Sequence, residues 1–424
     1  MDVSIFRLRH RDVLALCVLA LLVLGVIMVQ SASMKITGVV GWGWSRDGTR
    51  DAMFAGIALL TFIIVGHIDY THLLRGTSTF FRNPIMWIVA IAFAACAAVL
   101  VPHVGIEVNG ARRWLPLGIC QVQPSELAKW AVVIFLAWWL TARPLDLNKF
   151  TTFILTLLPI IALCLLIVIQ DFGTSALIAV CALTMLLVGK VRMRHLLIVI
   201  PPALGAAFWF VFHKDYRWRR MTAFLDPYSN PREGYHIIQS LLSFATGGVT
   251  GKGLGNGIQK LGYLPEDTTD FIFAVICEEL GLFGALMTVA LYLGILFVTW
   301  QVIRQKRDSF GRMLAFGVGS MVTLQAMINI AVATVSVPTK GLSLPLVSAG
   351  GSGLIITCAA LGLLYSVNRF EHTESEFRRP HKRTTLESET PLPQLSTSTF
   401  VPVSPAPTPQ VITESLWQEW TTEG

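Results

Sequence analysis

The sequence predicts an all-α polytopic integral membrane protein of about ten transmembrane helices, on three observations. First, 54% of its 424 residues are hydrophobic and only 14% are charged, which is too little polar surface for a water-soluble globule of this size. Second, apolar runs of about 20 residues, enough to cross roughly 30 Å of hydrocarbon, recur along nearly the whole chain. Third, Lys and Arg concentrate in alternate connections between those runs.

The expected spans are 12–32, 51–69, 84–102, 124–142, 151–170, 174–190, 195–213, 270–300, 311–336 and 344–367. The first follows Arg7, Arg9 and Arg11 and precedes Ser31-Ala32-Ser33. That layout imitates a signal peptide, but its apolar core is longer than a signal h-region and reads as a retained anchor. Arg75 and Arg82, then Arg143 and Lys149, then Lys190, Arg192 and Arg194, then Arg304, Lys306, Arg307 and Arg312 occupy the even-numbered connections. Those connections and both termini are therefore expected in the cytoplasm. The net charge of +7 is a topology signal on this reading, and nucleic-acid binding is a poor account of it. The seven cysteines show no CxxC and no His at ligand spacing, so neither a zinc site nor a disulfide framework is expected.

Residues 1–11 read as a cytoplasmic N-terminus, 12–370 as the transmembrane domain, and 371–424 as a disordered cytoplasmic tail. The tail holds seven of the 20 prolines and lacks any apolar period that could build a core. Between spans seven and eight, an extracytoplasmic loop of about 214–269 is too long for a mere connector. Ile237, Ile238, Leu241, Leu242 and Ala245 recur there at helical spacing before Gly247-Gly248, predicting a helix with its apolar side toward lipid or other spans. Lys214, Arg217, Arg219 and Arg220 lie just outside span seven, as a solvated membrane-edge belt or as a holder of a phosphorylated ligand.

Charges at membrane depth are costly, so each invites a functional reading. Glu126 and Lys129 sit on one helical face behind Pro124; they either lock two spans together or shape a substrate cavity. Upstream, Arg112, Arg113 and Trp114 supply two guanidinium forks and an indole, suited to phosphate or sugar and also common at ordinary interfaces. Asp270 is the last charge before span eight, at its outer mouth, where a carboxylate can be catalytic or a plain helix cap. Glu278 and Glu279 follow roughly 12 Å deeper; Glu278 lies about 80° from Asp270 around the helix and Glu279 on the opposite side, so one of them is expected to pair with another helix. From Pro338 to Gly353, two prolines and many small residues break the helix near membrane depth, marking a cavity wall. Asp171, in the tightest outer turn, reads as a turn or cap residue.

Five motifs occur in order: Asn109 to Trp114; Gln123-Pro124-Ser125-Glu126-Leu127-Ala128-Lys129; Gly234 to Gly257; Leu264 to Glu279 with Gly281; and Pro338 to Ser352. In this combination the chain resembles the SEDS family of bacterial cell-wall proteins, which includes FtsW, RodA and SpoVE, from span one to about residue 370. Residues 255–266 and Pro338-Thr339-Lys340-Gly341 look more like its division branch, FtsW. The resemblance implies a peptidoglycan glycosyltransferase polymerising lipid II, a disaccharide-pentapeptide on undecaprenyl pyrophosphate, at the outer face of the bacterial cytoplasmic membrane. It implies Asp270 as general base, and a substrate-binding set of Arg112, Arg113, Trp114, Gln123, Ser125, Glu126 and Lys129, joined by Lys340, Ser348, Gly350, Gly351 and Ser352.

The resemblance also implies a class B penicillin-binding protein as transpeptidase partner, other division proteins, and a place at the septum. No metal ligand is assigned; arginines or a divalent cation, magnesium or manganese, would stabilise the departing pyrophosphate. A lipid II flippase and a non-catalytic division scaffold are the alternatives. Thr268 replaces the family's usual His, Ala349 its usual Tyr, and 170–175 lacks its usual Pro.

Overall fold

Every expected span coincides with a helix in the computed structural model, which describes residues 9–33, 46–74, 82–108, 111–117, 120–142, 149–213, 215–229 and 231–372. In chain order these helices are α1 (His10–Ala32), α2 (Arg46–His67), α3 (Pro84–Leu100), α4 (Pro124–Ala142), α5 (Phe150–Val168), α6 (Phe172–Val188), α7 (Met193–Phe212), α8 (Asp215–Leu225), α9 (Pro231–Gly247), α10 (Ile272–Gln305), α11 (Ser309–Ala333) and α12 (Ser352–Arg369). Seven of them are long and apolar enough to cross a membrane, and α3 and α6 are shorter apolar helices. The expected tail beyond residue 372, together with Asn109, Gly110 and Lys214, lies outside the described residues.

Helix α4 sits at the centre. Its residues from Ala128 to Trp139 are all buried, and it packs on α3, α6 and α11, as expected of a helix that is apolar all round. Glycines set the closest approaches: a Cβ at Gly317 of α11 would meet Val133 of α4 at 2.7 Å, and one at Gly319 would meet Thr299 of α10 at 2.3 Å. Large apolar side chains such as Leu158, Phe208, Leu286 and Trp300 stay exposed on the outside, which fits a lipid-facing surface.

Three features depart from the sequence expectation. The segment after span three folds into a small antiparallel sheet in the order β1-β2-β3, with β1 at Ile106–Val108, β2 at Ala111–Leu117 and β3 at Cys120–Val122. The last span starts at Ser352 rather than at 344, because Pro345 lacks an N–H and Leu346 and Gly351 take positive φ of 68° and 41°. The freed carbonyls are met by side chains: Gln325 Nε2 donates to Ser343 O at 2.8 Å, and Tyr292 Oη donates to Pro345 O. That is how irregular backbone survives beside a membrane.

The third departure concerns Glu278 and Glu279, both fully buried. The two carboxylates face the glycine-rich loop 248–260, and Glu279 also reaches Ser31 of α1, the pairing with another helix that the sequence predicts. Glu278 accepts from Lys252 Nζ at 2.8 Å and from the N–H groups of Ile258 and Gln259. Glu279 accepts from Lys260 Nζ at 2.7 Å, from Ser31 Oγ, and from Gly255 N–H. Gly281, at φ 66°, kinks α10 just beyond them, and a Cβ there would strike Gly251 N at 2.4 Å. The loop can therefore wrap the helix only because both glycines lack side chains.

The long loop carries α8 and α9, and α9 ends at Gly247 as its sequence predicts. Its buried side is Gly234, Ile237, Ser240, Ser243 and Gly247, whereas Leu241 and Leu242 are exposed. Small residues face α10 because the contact is close: Gly247 would place a Cβ 2.0 Å from Cys277 O. Ser240 donates to Ala333 O at 2.7 Å, and the leucines are left for the surroundings.

Candidate active site

A cavity of about 410 Å³ opens where β2, the α5–α6 turn, α8, the segment before α10 and the α11–α12 connection converge. Its position follows from local rules. Gln170-Asp171 ends α5, and Asp171 caps α6 by accepting from Thr174 N–H at 3.1 Å and Thr174 Oγ1 at 2.8 Å, the cap role its turn position suggests. Phe172 then points into the cavity, with Lys340 Nζ at 5.1 Å and the Arg217 guanidinium at 5.5 Å from its ring centre. Both are cation–π distances.

Asp270 lies on the wall in the turn that leads into α10. Glu266, at φ 57°, closes that turn by accepting from Thr269 N–H and Phe271 N–H. The opposite wall comes so close that a Cβ on Gly341 would stand 3.1 Å from Asp270 Oδ2. Among the described residues no donor reaches the Asp270 carboxylate within hydrogen-bond distance, although the side chain keeps some access through the cavity. Burial pushes its pKa up to about 7; Glu266 and Asp171 add to the rise, and Arg220 and Arg113 oppose it. Burial lowers the pKa of Lys340, with Asp171 opposing. A carboxylate titrating near neutrality, held among cations and left without a donor, is suited to taking a proton.

Of the residues proposed from sequence, Arg113, Trp114, Gln123, Glu126, Asp270, Lys340 and Gly350 line this cavity. The others stand behind it or beside it. Arg112 pairs with Glu107 at 3.4 Å and, with Ser125, lines a small adjoining pocket. Lys129 is fully buried between Glu126 at 2.8 Å and Gln325 at 2.7 Å, so its hydrogen bond to Gln325 ties α4 to α11 while the ion pair, within α4, fixes a cavity carboxylate. Ser348 donates to Thr269 O at 2.6 Å and accepts from Leu344 N–H at 2.7 Å. Ser352 accepts from Gln123 N–H at 3.3 Å, and Gly351 supplies the turn into α12.

Sequence reasoning singled out Arg217 and Arg220 only as part of a basic cluster; both reach the cavity from α8. Gln170, Phe172, Thr174 and Glu266 line it as well, with no charge at membrane depth to announce the first three. Arg113 Nε donates to Gln170 O at 3.0 Å, and Arg112 N–H donates to Gln170 Oε1 at 3.0 Å, so Gln170 holds β2 in place. Among the described residues no group of three His, Cys, Asp or Glu side chains could hold a metal ion. The cavity's positive charge comes from Arg113, Arg217, Arg220 and Lys340.

Comparison with known proteins agrees with this geometry. The family described as cell cycle protein, covering FtsW, RodA and SpoVE, matches residues 11–373. The probable peptidoglycan glycosyltransferase FtsW of Dichelobacter nodosus is 38% identical over 85% of this chain and 91% of its own length. That of Alkalilimnicola ehrlichii is 37% identical over 87% and 92%. Among solved structures, a chain from work on structural coordination of polymerization and crosslinking by a peptidoglycan synthase complex superposes with a TM-score of 0.68. It is 28% identical and covers 84% of this chain and 96% of that one. The rod shape determining protein RodA of Thermus thermophilus follows at a TM-score of 0.60 and 27% identity, covering 84% and 95%. With a match across the whole helical body and relatives above one-third identity, this chain belongs to the FtsW/RodA/SpoVE, or SEDS, family.

Proposed function

We propose that this chain is a peptidoglycan glycosyltransferase that polymerises lipid II at the outer face of the bacterial cytoplasmic membrane during cell division, with Asp270 as general base. The observation that carries the reading is Asp270 itself, a carboxylate raised to about 7 on the wall of a cavity lined by four cations. The names of the relatives and the synthase complex among the structural neighbours support it.

In the reaction, a hydroxyl of the acceptor sugar gives its proton to Asp270 as its oxygen attacks the anomeric carbon of the donor. The bond from that carbon to the pyrophosphate oxygen breaks, and the lipid pyrophosphate leaves with the electron pair. A positioned base contributes about 10²–10⁴-fold to such a step. Arg113, Arg217, Arg220 and Lys340 meet the growing negative charge, and Trp114 offers a face for a sugar. The membrane delivers the lipid-linked substrate sideways. A class B penicillin-binding protein is the proposed crosslinking partner, the septum the proposed site, and both termini are placed in the cytoplasm.

The test uses purified full-length chain with its cognate penicillin-binding partner and lipid II, with glycan polymer read on a gel. Wild type should polymerise and Asp270→Asn should not. Polymer from Asp270→Asn at the wild-type rate would overturn the catalytic assignment. Wild type that moves lipid II across vesicles while making no polymer would identify a flippase instead.

A further inference from the structure

The segment that carries Asp270 is held by three successive carbonyls. Thr268 O accepts from Ala349 N–H at 2.9 Å, Thr269 O from Ser348 Oγ at 2.6 Å, and Asp270 O from Asn329 Nδ2 at 2.9 Å. The first two tie the segment to the α11–α12 connection. The third is different, because the same Asn329 amide nitrogen also donates to Leu342 O at 2.7 Å. Asn329 lies near the end of α11 and is 1% exposed. One amide thus joins the backbone of Asp270 to the backbone two residues past Lys340, with Gly341 in between against the Asp270 carboxylate. Since both acceptors are carbonyls, only the amide NH₂ can make these bonds, which settles the orientation of the group.

One turn earlier on the same helix, Gln325 does a similar job farther away, receiving Lys129 Nζ on Oε1 and donating to Ser343 O. It touches the cationic wall but not the Asp270 segment. Asn329 Oδ1, meanwhile, meets no donor among the described residues. A buried acceptor left unpaired is destabilising, so stability alone is a poor reason for an amide at this point.

We propose that Asn329 is a positioning residue for the transfer reaction, clamping the segment that bears the base to the segment that bears Lys340 and so fixing the distance between proton acceptor and leaving-group cation. This rests on the catalytic reading of Asp270. Misplacement of a reacting group by about 1 Å costs on the order of 100-fold in rate.

The experiment compares wild type, Asn329→Leu, Gln325→Leu and Asp270→Asn as full-length chains with the cognate partner, measuring polymerisation against lipid II concentration and pH, and thermal unfolding in detergent. Asn329→Leu should lower kcat by about 30- to 100-fold with KM changed by less than about threefold. Its acid limb should move to lower pH, because a loosened Asp270 regains water, and its unfolding midpoint should fall no further than that of Gln325→Leu, which also leaves a carbonyl without its donor. Gln325→Leu should leave the acid limb in place. If Asn329→Leu does not fold, Asn329→Ser, which keeps a donor at shorter reach, is judged by the same two kinetic criteria.

A kcat within about threefold of wild type with an unmoved acid limb overturns the proposal, as does a loss confined to KM. Asp270→Asn separates the two levels of inference. If it is inactive while Asn329→Leu is normal, the clamp alone is wrong; if it polymerises normally, the catalytic reading fails.

Discussion

Asp270 on one side, and Glu278 and Glu279 on the other, lie close together in the chain and are all carboxylates taken out of bulk water, yet the protein treats them in opposite ways. Each glutamate receives a lysine ammonium and backbone N–H donors, and Glu279 a serine hydroxyl too. Asp270 receives no donor from the described residues, and its cations stand across a cavity. Buried carboxylates with saturated lone pairs build structure, whereas one left short of partners and raised toward neutrality is available for proton transfer. Burial alone would have ranked the glutamates first.

Substitutions should separate the two sides of this comparison. The largest effect expected is Asp270→Asn, which should cut polymerisation by about 10³-fold or more while leaving the unfolding midpoint unchanged. Glu279→Gln should do the reverse: removing one member of a buried pair leaves Lys260 uncompensated and costs about 3–5 kcal/mol of stability, read as a lowered unfolding midpoint. An unchanged midpoint would mean that the loop 248–260 does not depend on that pair.

Lys340→Met should reduce kcat by about 100-fold, measured as polymer formed at saturating lipid II, because a cavity cation proposed to meet the leaving group is lost. Lys252→Met should cost less, about 1–3 kcal/mol in the same unfolding measurement, since Lys252 is 23% exposed and the buried Glu278 it leaves keeps the N–H donors of Ile258 and Gln259. A loss as large as that of Glu279→Gln would show the two ion pairs to be equivalent.

The pH dependence sharpens the same contrast. As the proposed general base, Asp270 would act only when ionised, and its folded pKa is raised to about 7. The rate should therefore be full above about pH 8 and fall about tenfold per pH unit well below 7. With burial lowering the pKa of Lys340, loss of its charge should bring the rate down at alkaline pH, earlier than for an ordinary lysine. Asn at position 270 removes the acid limb from whatever activity remains.

Much of the frame was legible in the chain. Apolar runs of membrane length located a helix for each expected span, seven of them long and apolar enough to cross a membrane, because hydrocarbon imposes the same demand at each position of a run. Asp270 was legible as the last charge before a span, Asp171 as a cap, and the Pro338–Gly353 stretch as broken backbone. The three short strands were not, since β1 and β3 have three residues each and are held by pairing with β2 rather than by any alternation of their own. The pairing of one glutamate with another helix was legible and is met by Ser31 of α1 on Glu279; the loop partners of Glu278 and Glu279 were missed because helical periodicity describes directions around one helix, and a loop that wraps it can meet both.

What the sequence by itself determined is the solvent this chain folds in, the order of its helices and the residue types available for chemistry, all properties of local composition and spacing. The tertiary structure alone decided which of those residues share a cavity. Arg217 and Arg220 from α8, Gln170 and Phe172 from the α5–α6 turn, and Lys340 from the α11–α12 connection meet Asp270 there, and Asn329 reaches its backbone from behind. These residues are far apart in the chain, and their convergence depends on glycine contacts and carbonyl-to-amide bonds between helices, which no window of sequence contains.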